Sequence, residues 1–164
     1  MTKIIIVNEK DEIIGLKERD RQGIDGYRRV SGLWLSNSNG EVLLAQRSFN
    51  KKLDPGKWGP AAAGTVEEGE TYESNIIKEA KEEIGLKEIK LSIGPKFKID
   101  DAAPRFTQFY LGRVDQSIDK FVIQKEEVEQ IKWMPIKELE MDLKKNPRQY
   151  TATISLILES LYKL

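Results

Sequence analysis

The stretch from Gly64 to Leu86, GTVEEGETYESNIIKEAKEEIGL, constrains this chain more than any other. Thr71 stands where a helix begins and Gly85 where one ends, so residues 71–84 read as a helix. At roughly 100° per residue, Tyr72, Ile76, Ala80 and Ile84 fall at about 20°, 60°, 100° and 140° from Glu79. Glu83 lies at about 40°, inside that apolar arc, and Glu82 about 60° to the other side of Glu79. A stripe that must be buried therefore carries carboxylates at its edge. Like charges in that position repel and lose hydration, and neither Lys78 nor Lys81 projects onto the arc, so they call for a compensating cation. Spacing alone makes a metal site reasonable and names no reaction.

Composition says which cation and which chemistry. The chain has no Cys and no His. Thiolate nucleophiles, disulfides, Cys-ligated zinc and iron–sulfur clusters are excluded, as are imidazole bases and Ser-His-Asp triads. Catalysis would rest on carboxylates, amines, guanidiniums, hydroxyls, backbone groups and an oxygen-bound hard cation such as Mg²⁺, Mn²⁺ or Ca²⁺. Lys and Arg total 27 against 27 Asp and Glu, a balance that argues against a nucleic-acid coat or a polybasic membrane anchor. The opening MTKIIIVNEKDE is too short an apolar run for a signal peptide, and no later run reaches spanning length. The expectation is a cytoplasmic protein away from the membrane.

With 164 residues, a single domain over 1–164 is expected. Segments 3–7 and 12–16 read as an N-terminal hairpin, within residues 1–18. Ser31–Ser36 and Glu41–Gln46 read as a second hairpin around Asn39-Gly40. Residues 48–60, with two Pro and two Gly, read as a loop containing a solvated Lys51-Lys52 pair. Strands are expected near 89–93, 96–100, 106–114 and 128–134. Pro135 suits the first turn of a short helix, and a C-terminal helix is expected over 147–164, its apolar stripe serving core or dimer contact. Strands and helices without strict alternation imply an α/β (α+β) chain with a mixed sheet covered by helices.

The Gly64–Leu86 stretch resembles the signature of the Nudix hydrolase family. Gly64, Glu70 and the run Lys78-Glu79-Ala80-Lys81-Glu82-Glu83-Ile84-Gly85-Leu86 stand at the family's spacing. Lys78 replaces the usual Arg, and Ala80 the usual larger aliphatic. SGLWLSNSNGEVLLAQRS, LDPGKWGPAAAG and EEVEQIKWMPIKEL extend the likeness over residues 3–140, toward the branch that includes isopentenyl-diphosphate isomerases. The resemblance implies an α/β/α sandwich with a mixed β-sheet. It further implies that Glu79, Glu82, Glu83 and the Gly64 carbonyl hold Mg²⁺ or Mn²⁺ against a diphosphate, with Glu79 as base and Glu70 paired to Lys78. The implied reaction is hydrolysis of a phosphoanhydride in a nucleoside diphosphate linked to another moiety. A Nudix-fold module that binds a nucleotide without turning it over is the alternative. The isomerase reading fails on residues: its catalytic Cys would stand at Ala63. A calcium-buffer loop is also excluded, for want of alternating Asp/Asn ligands.

Lys78 is a point donor where Arg offers a planar fork, so it should orient Glu79 less firmly. Arg47 at a strand end is the preferred phosphate-binding residue, with Arg29 and Arg28 behind it. Trp58, Phe106 and Tyr110 are candidates to stack a base. Among Glu126, Glu127 and Glu129, Glu127 is the candidate for an added metal ligand. By analogy the assembly is a homodimer and the partner a small nucleoside diphosphate derivative.

Overall fold

The computed structural model describes residues 2–19, 23 and 25–163. In chain order it contains β1 (Lys3–Val7), β2 (Ile13–Glu18), β3 (Tyr27–Ser36), β4 (Glu41–Arg47), β5 (Trp58–Gly59) and β6 (Ala62–Thr65). Helix α1 (Tyr72–Ile84), β7 (Ser92–Ile99), β8 (Arg105–Arg113), β9 (Val128–Pro135), α2 (Ile136–Lys145) and α3 (Ala152–Tyr162) follow. All nine strands join one mixed sheet.

Strand β3 organises that sheet. One edge pairs in parallel with β8 from Arg28↔Arg105 to Ser36↔Arg113. The other edge is shared by β1 at Ile6↔Arg28, β6 at Val30↔Thr65 through Leu33↔Ala62, and β4 at Ser36↔Val42. Both faces are buried, so the apolar runs in β3 and β4 are nearly continuous rather than alternating. Leu33, Leu35 and Leu43 pack beneath Ile76, Ala80 and Ile84 of α1. Trp34, Val42 and Leu44 point the opposite way, onto Ile154, Ile157 and Leu158 of α3 and Leu139 of α2. This is the α/β/α sandwich.

The turn between β3 and β4 forms at Asn37–Gly40. Asn37 Oδ1 accepts the amides of Asn39 and Glu41, each at 3.0 Å, and Gly40 takes a φ of 74° that favours glycine. Helix α1 is capped at both ends. Thr71 Oγ1 accepts the Ser74 amide at 3.0 Å, and Ser74 Oγ accepts the Thr71 amide at 2.9 Å. At the other end Gly85, at φ 70°, donates its amide to the Lys81 carbonyl at 3.1 Å.

Three expectations need correction. The strands foreseen at 89–93 and 96–100 are one strand, β7, which crosses Gly94-Pro95 by a register shift between Ile93 and Lys96. A bulge lets the chain absorb a proline without ending the pairing. The C-terminal helix begins at Ala152 instead of 147; Pro147–Gln149 forms a 3₁₀ turn, and Tyr150 bridges to Trp58. Residues 48–60 are not wholly loop, because Trp58–Gly59 pairs with β4.

The hairpin of β1 and β2 is tied to α1 through its turn. Asp11, at φ 61°, accepts from Arg29 Nε at 2.8 Å, Tyr72 Oη at 3.0 Å and Lys96 Nζ at 2.6 Å. Burial pushes its carboxyl up, but the hydrogen bonds from Lys96, Arg29 and Tyr72 hold it below the ordinary value.

Two substitutions test this architecture by equilibrium denaturation. Thr71→Ala is expected to cost about 1 kcal/mol through the lost cap. Ile154→Ala, at a fully buried site, is expected to cost about 2–5 kcal/mol. A loss at Ile154 no larger than that at Thr71 would contradict the assignment of α3 to the core.

Candidate functional site

An open cavity of about 740 Å³ lies where β6, the start of α1's last turns and the loops after β4 and β9's approach meet. Gly64, Glu79, Glu82, Glu83 and Glu127 line it, and so do Lys78, Arg47 and Lys51. The loop into α1 places the helix at this wall. Glu70 Oε1 accepts the Glu67 amide at 2.8 Å and Asn75 Nδ2 at 3.2 Å, closing the turn that follows β6. Its other oxygen lies 2.8 Å from Lys78 Nζ. Burial pushes Glu70 up, yet the Lys78 and Glu67 contacts keep it below the ordinary carboxylate value.

Lys78 reaches more than one carboxylate. Its Nζ is 3.4 Å from Glu67 Oε2 and 3.8 Å from Glu79 Oε1. This spread is what a point charge produces: a close bond to Glu70 and weaker attraction to the other two, without a planar two-point grip on Glu79.

Glu79 and Glu83 are the electrostatically costly residues. Burial pushes Glu79 up to about 7, against the pull of Lys78, and Glu82 adds to the rise. Burial pushes Glu83 up to about 8, although its Oε1 accepts the Ala63 amide at 2.9 Å. The charges of Glu79 and Glu127 push Glu83 in the same direction. Gly64 is fitted closely to this wall: a Cβ there would stand 2.5 Å from Glu79 Cδ. Glu82 is exposed on the cavity side of α1.

These carboxylates share a cavity but do not converge. Among the described residues, no three acidic side chains stand close enough to form a ready-made ion site. The partners explain why: Glu83 turns to the Ala63 amide, Glu79 faces Lys78, and Glu127 pairs with Lys51.

The other candidates divide. Arg47 lines the cavity, its Nε donating to the Leu53 carbonyl at 3.0 Å. Arg29 does not: its guanidinium is bound to Asp11 and lies 5.1 Å from the centre of the Tyr72 ring, so it closes the hairpin instead of facing the cavity. Arg28 is also outside the lining. Trp58, Phe106 and Tyr110 are not stacking surfaces there. Phe106 and Tyr110 are buried in the cores, and Trp58 packs on the α3 side under Lys132. Glu126 and Glu129 do not line the cavity, whereas Glu127 does. Lys51, expected to be a solvated loop residue, instead pairs with Glu127 at the cavity. Arg19, Asp101 and Arg105 also line the cavity, and sequence reasoning missed all three. Their positions depend on how β2, β3 and β8 assemble, a long-range arrangement that leaves no local signal.

Comparison with known proteins follows the same lines. The NUDIX domain model matches residues 26–154, leaving the N-terminal hairpin outside it. A Nudix hydrolase of Deinococcus radiodurans is 35% identical over 94 residues, covering 57% of this chain and 55% of that protein. An uncharacterized Nudix hydrolase of Yersinia pestis is 26% identical over 135 residues, covering 82% and 73%. An isopentenyl-diphosphate Delta-isomerase of Klebsiella pneumoniae is 29% identical over 104 residues, covering 62% and 56%. The chain thus spans little more than half the length of the Deinococcus and Klebsiella relatives. Among solved structures, one from Deinococcus radiodurans superposes with a TM-score of 0.84 at 22% identity, over 97% of this chain and 99% of the other. The C. elegans Ap4A hydrolase complex has a TM-score of 0.63 at 22% identity, over 83% and 96%. The structural likeness establishes the fold and the domain match the lineage: this chain belongs to the Nudix family.

Proposed function

We propose that this chain is a pyrophosphohydrolase dependent on a divalent cation, which cleaves a phosphoanhydride in a nucleoside diphosphate linked to another moiety. One observation carries the reading. Two carboxylates, half-buried Glu79 and buried Glu83, stand beside an open cavity and are lifted to about 7 and about 8, and among the described residues no single cation pairs with both. Such burial is unfavourable for folding alone and is suited to a bound divalent ion.

The residues present fit Mg²⁺ or Mn²⁺. Every side-chain donor on that wall is a carboxylate oxygen, the set that hard cations take. The close approach of Glu79 to Gly64 leaves no room for a side chain between helix and strand. Glu79, Glu82, Glu83 and the Gly64 carbonyl would hold the ion, with Glu127 as an added ligand once released from Lys51. Bound there, the ion would neutralise diphosphate oxygens and favour ionisation of water.

The chain's own groups do the rest. Arg47 binds a phosphate oxygen, and Lys78 restrains Glu79 through the Glu70 contact. Glu79 accepts the proton of the attacking water on a carboxylate oxygen. The water oxygen bonds to phosphorus as the bridging P–O bond breaks, and the bridging oxygen leaves with the departing phosphate group. Ala63 contributes only its amide, to Glu83, so the site has no thiol for proton transfer at carbon.

The test is a substrate panel with Mg²⁺ and with Mn²⁺: nucleoside triphosphates, nucleotide sugars, ADP-ribose, NADH, CoA and dinucleoside polyphosphates. Turnover should vanish in EDTA and fall by a factor on the order of 10³ or more in Glu83→Gln. Tight nucleotide binding with no turnover across the panel would instead identify a binding module.

The raised carboxyls also predict a pH dependence in the metal-free protein. The unfolded chain loses the Glu83 proton near 4.5, while the folded chain keeps it until about 8. Within that window the unfolded state holds fewer protons, so stability falls as pH rises, and the benefit is complete only below about 4.5. Melting temperature in EDTA should decline across the window. Glu83→Gln should reduce the slope, and saturating Mg²⁺ or Mn²⁺ should oppose it. A flat metal-free profile would contradict the burial argument.

A further inference from the structure

The N-terminal hairpin lies outside the matched domain, yet it delivers a charged side chain to the cavity. Arg19, just past the end of β2, lines the cavity and lies 3.0 Å from Glu67 through Nη1. Burial raises Glu79 most, and the Arg19 charge pulls against that rise. Arg28 stands opposite Arg105 in the parallel pairing of β3 with β8. Arg19 and Arg105 both stand on the lining that holds Glu79, whereas Arg28 does not.

Arg105 is held in a way that leaves donors available. Its Nη1 donates to Asp101 Oδ1 at 2.9 Å and to the Ala103 carbonyl at 2.8 Å, which uses both hydrogens of that nitrogen. Nε and Nη2 make no hydrogen bond among the described residues, so a planar two-point edge remains. The side chain is only 18% exposed and lines the same cavity as Glu79. A guanidinium fixed by one edge and open at the other is preorganised for an oxyanion with paired oxygens. Asp101 and Glu67 are the carboxylates bound to Arg105 and Arg19 among the described residues, and each touches its arginine through a single nitrogen.

We propose that Arg19 and Arg105 form a second anion subsite, which takes a phosphate of the substrate remote from the anhydride that is cleaved. The inference rests on the hydrolase reading and narrows it. Favoured substrates carry an extra phosphomonoester on the nucleoside side or the linked moiety, and a neutral group at that place is bound more weakly. The hairpin is then a specificity element added to the shared domain.

Matched pairs that differ by one remote phosphate test this: NADPH against NADH, and CoA against dephospho-CoA. For the pair that is turned over, the phosphorylated member should show a KM lower by roughly tenfold or more. Arg19→Gln and Arg105→Gln should each bring the KM ratio of the pair toward one. Arg105→Lys, which retains charge but not the fork, should restore the ratio only in part. Arg19 is half-exposed, so its variant addresses the subsite even if Arg105→Gln fails to fold. Equal KM values within both pairs in the unsubstituted protein would overturn the proposal, as would a ratio that both Gln variants leave intact. If no member is hydrolysed, the wider substrate panel decides the hydrolase reading, and calorimetric titration of the same pairs decides the subsite. Absence of any difference in affinity there would overturn it independently.

Discussion

Strand β3 has hydrogen-bonding groups on two edges and side chains on two buried faces, and the molecule is arranged to satisfy all four. The parallel partner β8 occupies one edge along its length, which requires the chain to travel from β3 through α1 and β7 before returning. The other edge is divided among β1, β6 and β4. Because β6 takes the middle of that edge, Gly64 pairs with Ser31, and the chain turns at Glu67–Glu70 straight into α1. Ser31 donates to the Tyr72 carbonyl at 2.7 Å and joins the helix start to the strand. The glutamates reach the cavity because β3 shares its edge in this way.

Burial of acidic groups then sets the chemistry. A helix needs an apolar face to pack on the sheet, and α1 supplies Ile76, Ala80 and Ile84 while carrying Glu79 and Glu83 at the margin. A sequence selected only for packing would place alanine or leucine there. The protein retains ionisable groups where charge is costly, and one Lys78 shared among Glu70, Glu67 and Glu79 cannot neutralise the wall. That deficit is the physical ground for expecting a divalent ion.

Much of this was legible from sequence because it is local. Helix α1, its caps, the Asn37–Gly40 turn and the edge position of Glu83 all depend on residues a few places apart. The helix-covered mixed sheet was legible from strands and helices that intersperse without strict alternation. What escaped depends on distant pairing. Arg29 looked free for phosphate because Asp11, its partner, sits across a turn with no charge-pair spacing to betray it. Lys51 looked solvated because Glu127 reaches it only after β4 and β9 pair. Arg19 and Arg105 gather at one cavity because of strand order alone. Gly94-Pro95 read as a break because sequence cannot show that β8 continues opposite both sides of it.

The tie at Asp11 has a dynamic meaning. A single carboxylate in the hairpin turn joins three elements: β3 through Arg29, α1 through Tyr72 and β7 through Lys96. Releasing it would leave two cations without their anion and the Tyr72 hydroxyl without its acceptor, all at once. Breaking that one tie therefore loosens the hairpin and the first turn of α1 at once. Slow-exchanging amides should extend from the helix start into a segment that the shared domain does not include, making an appended ribbon part of the machinery's rigid frame.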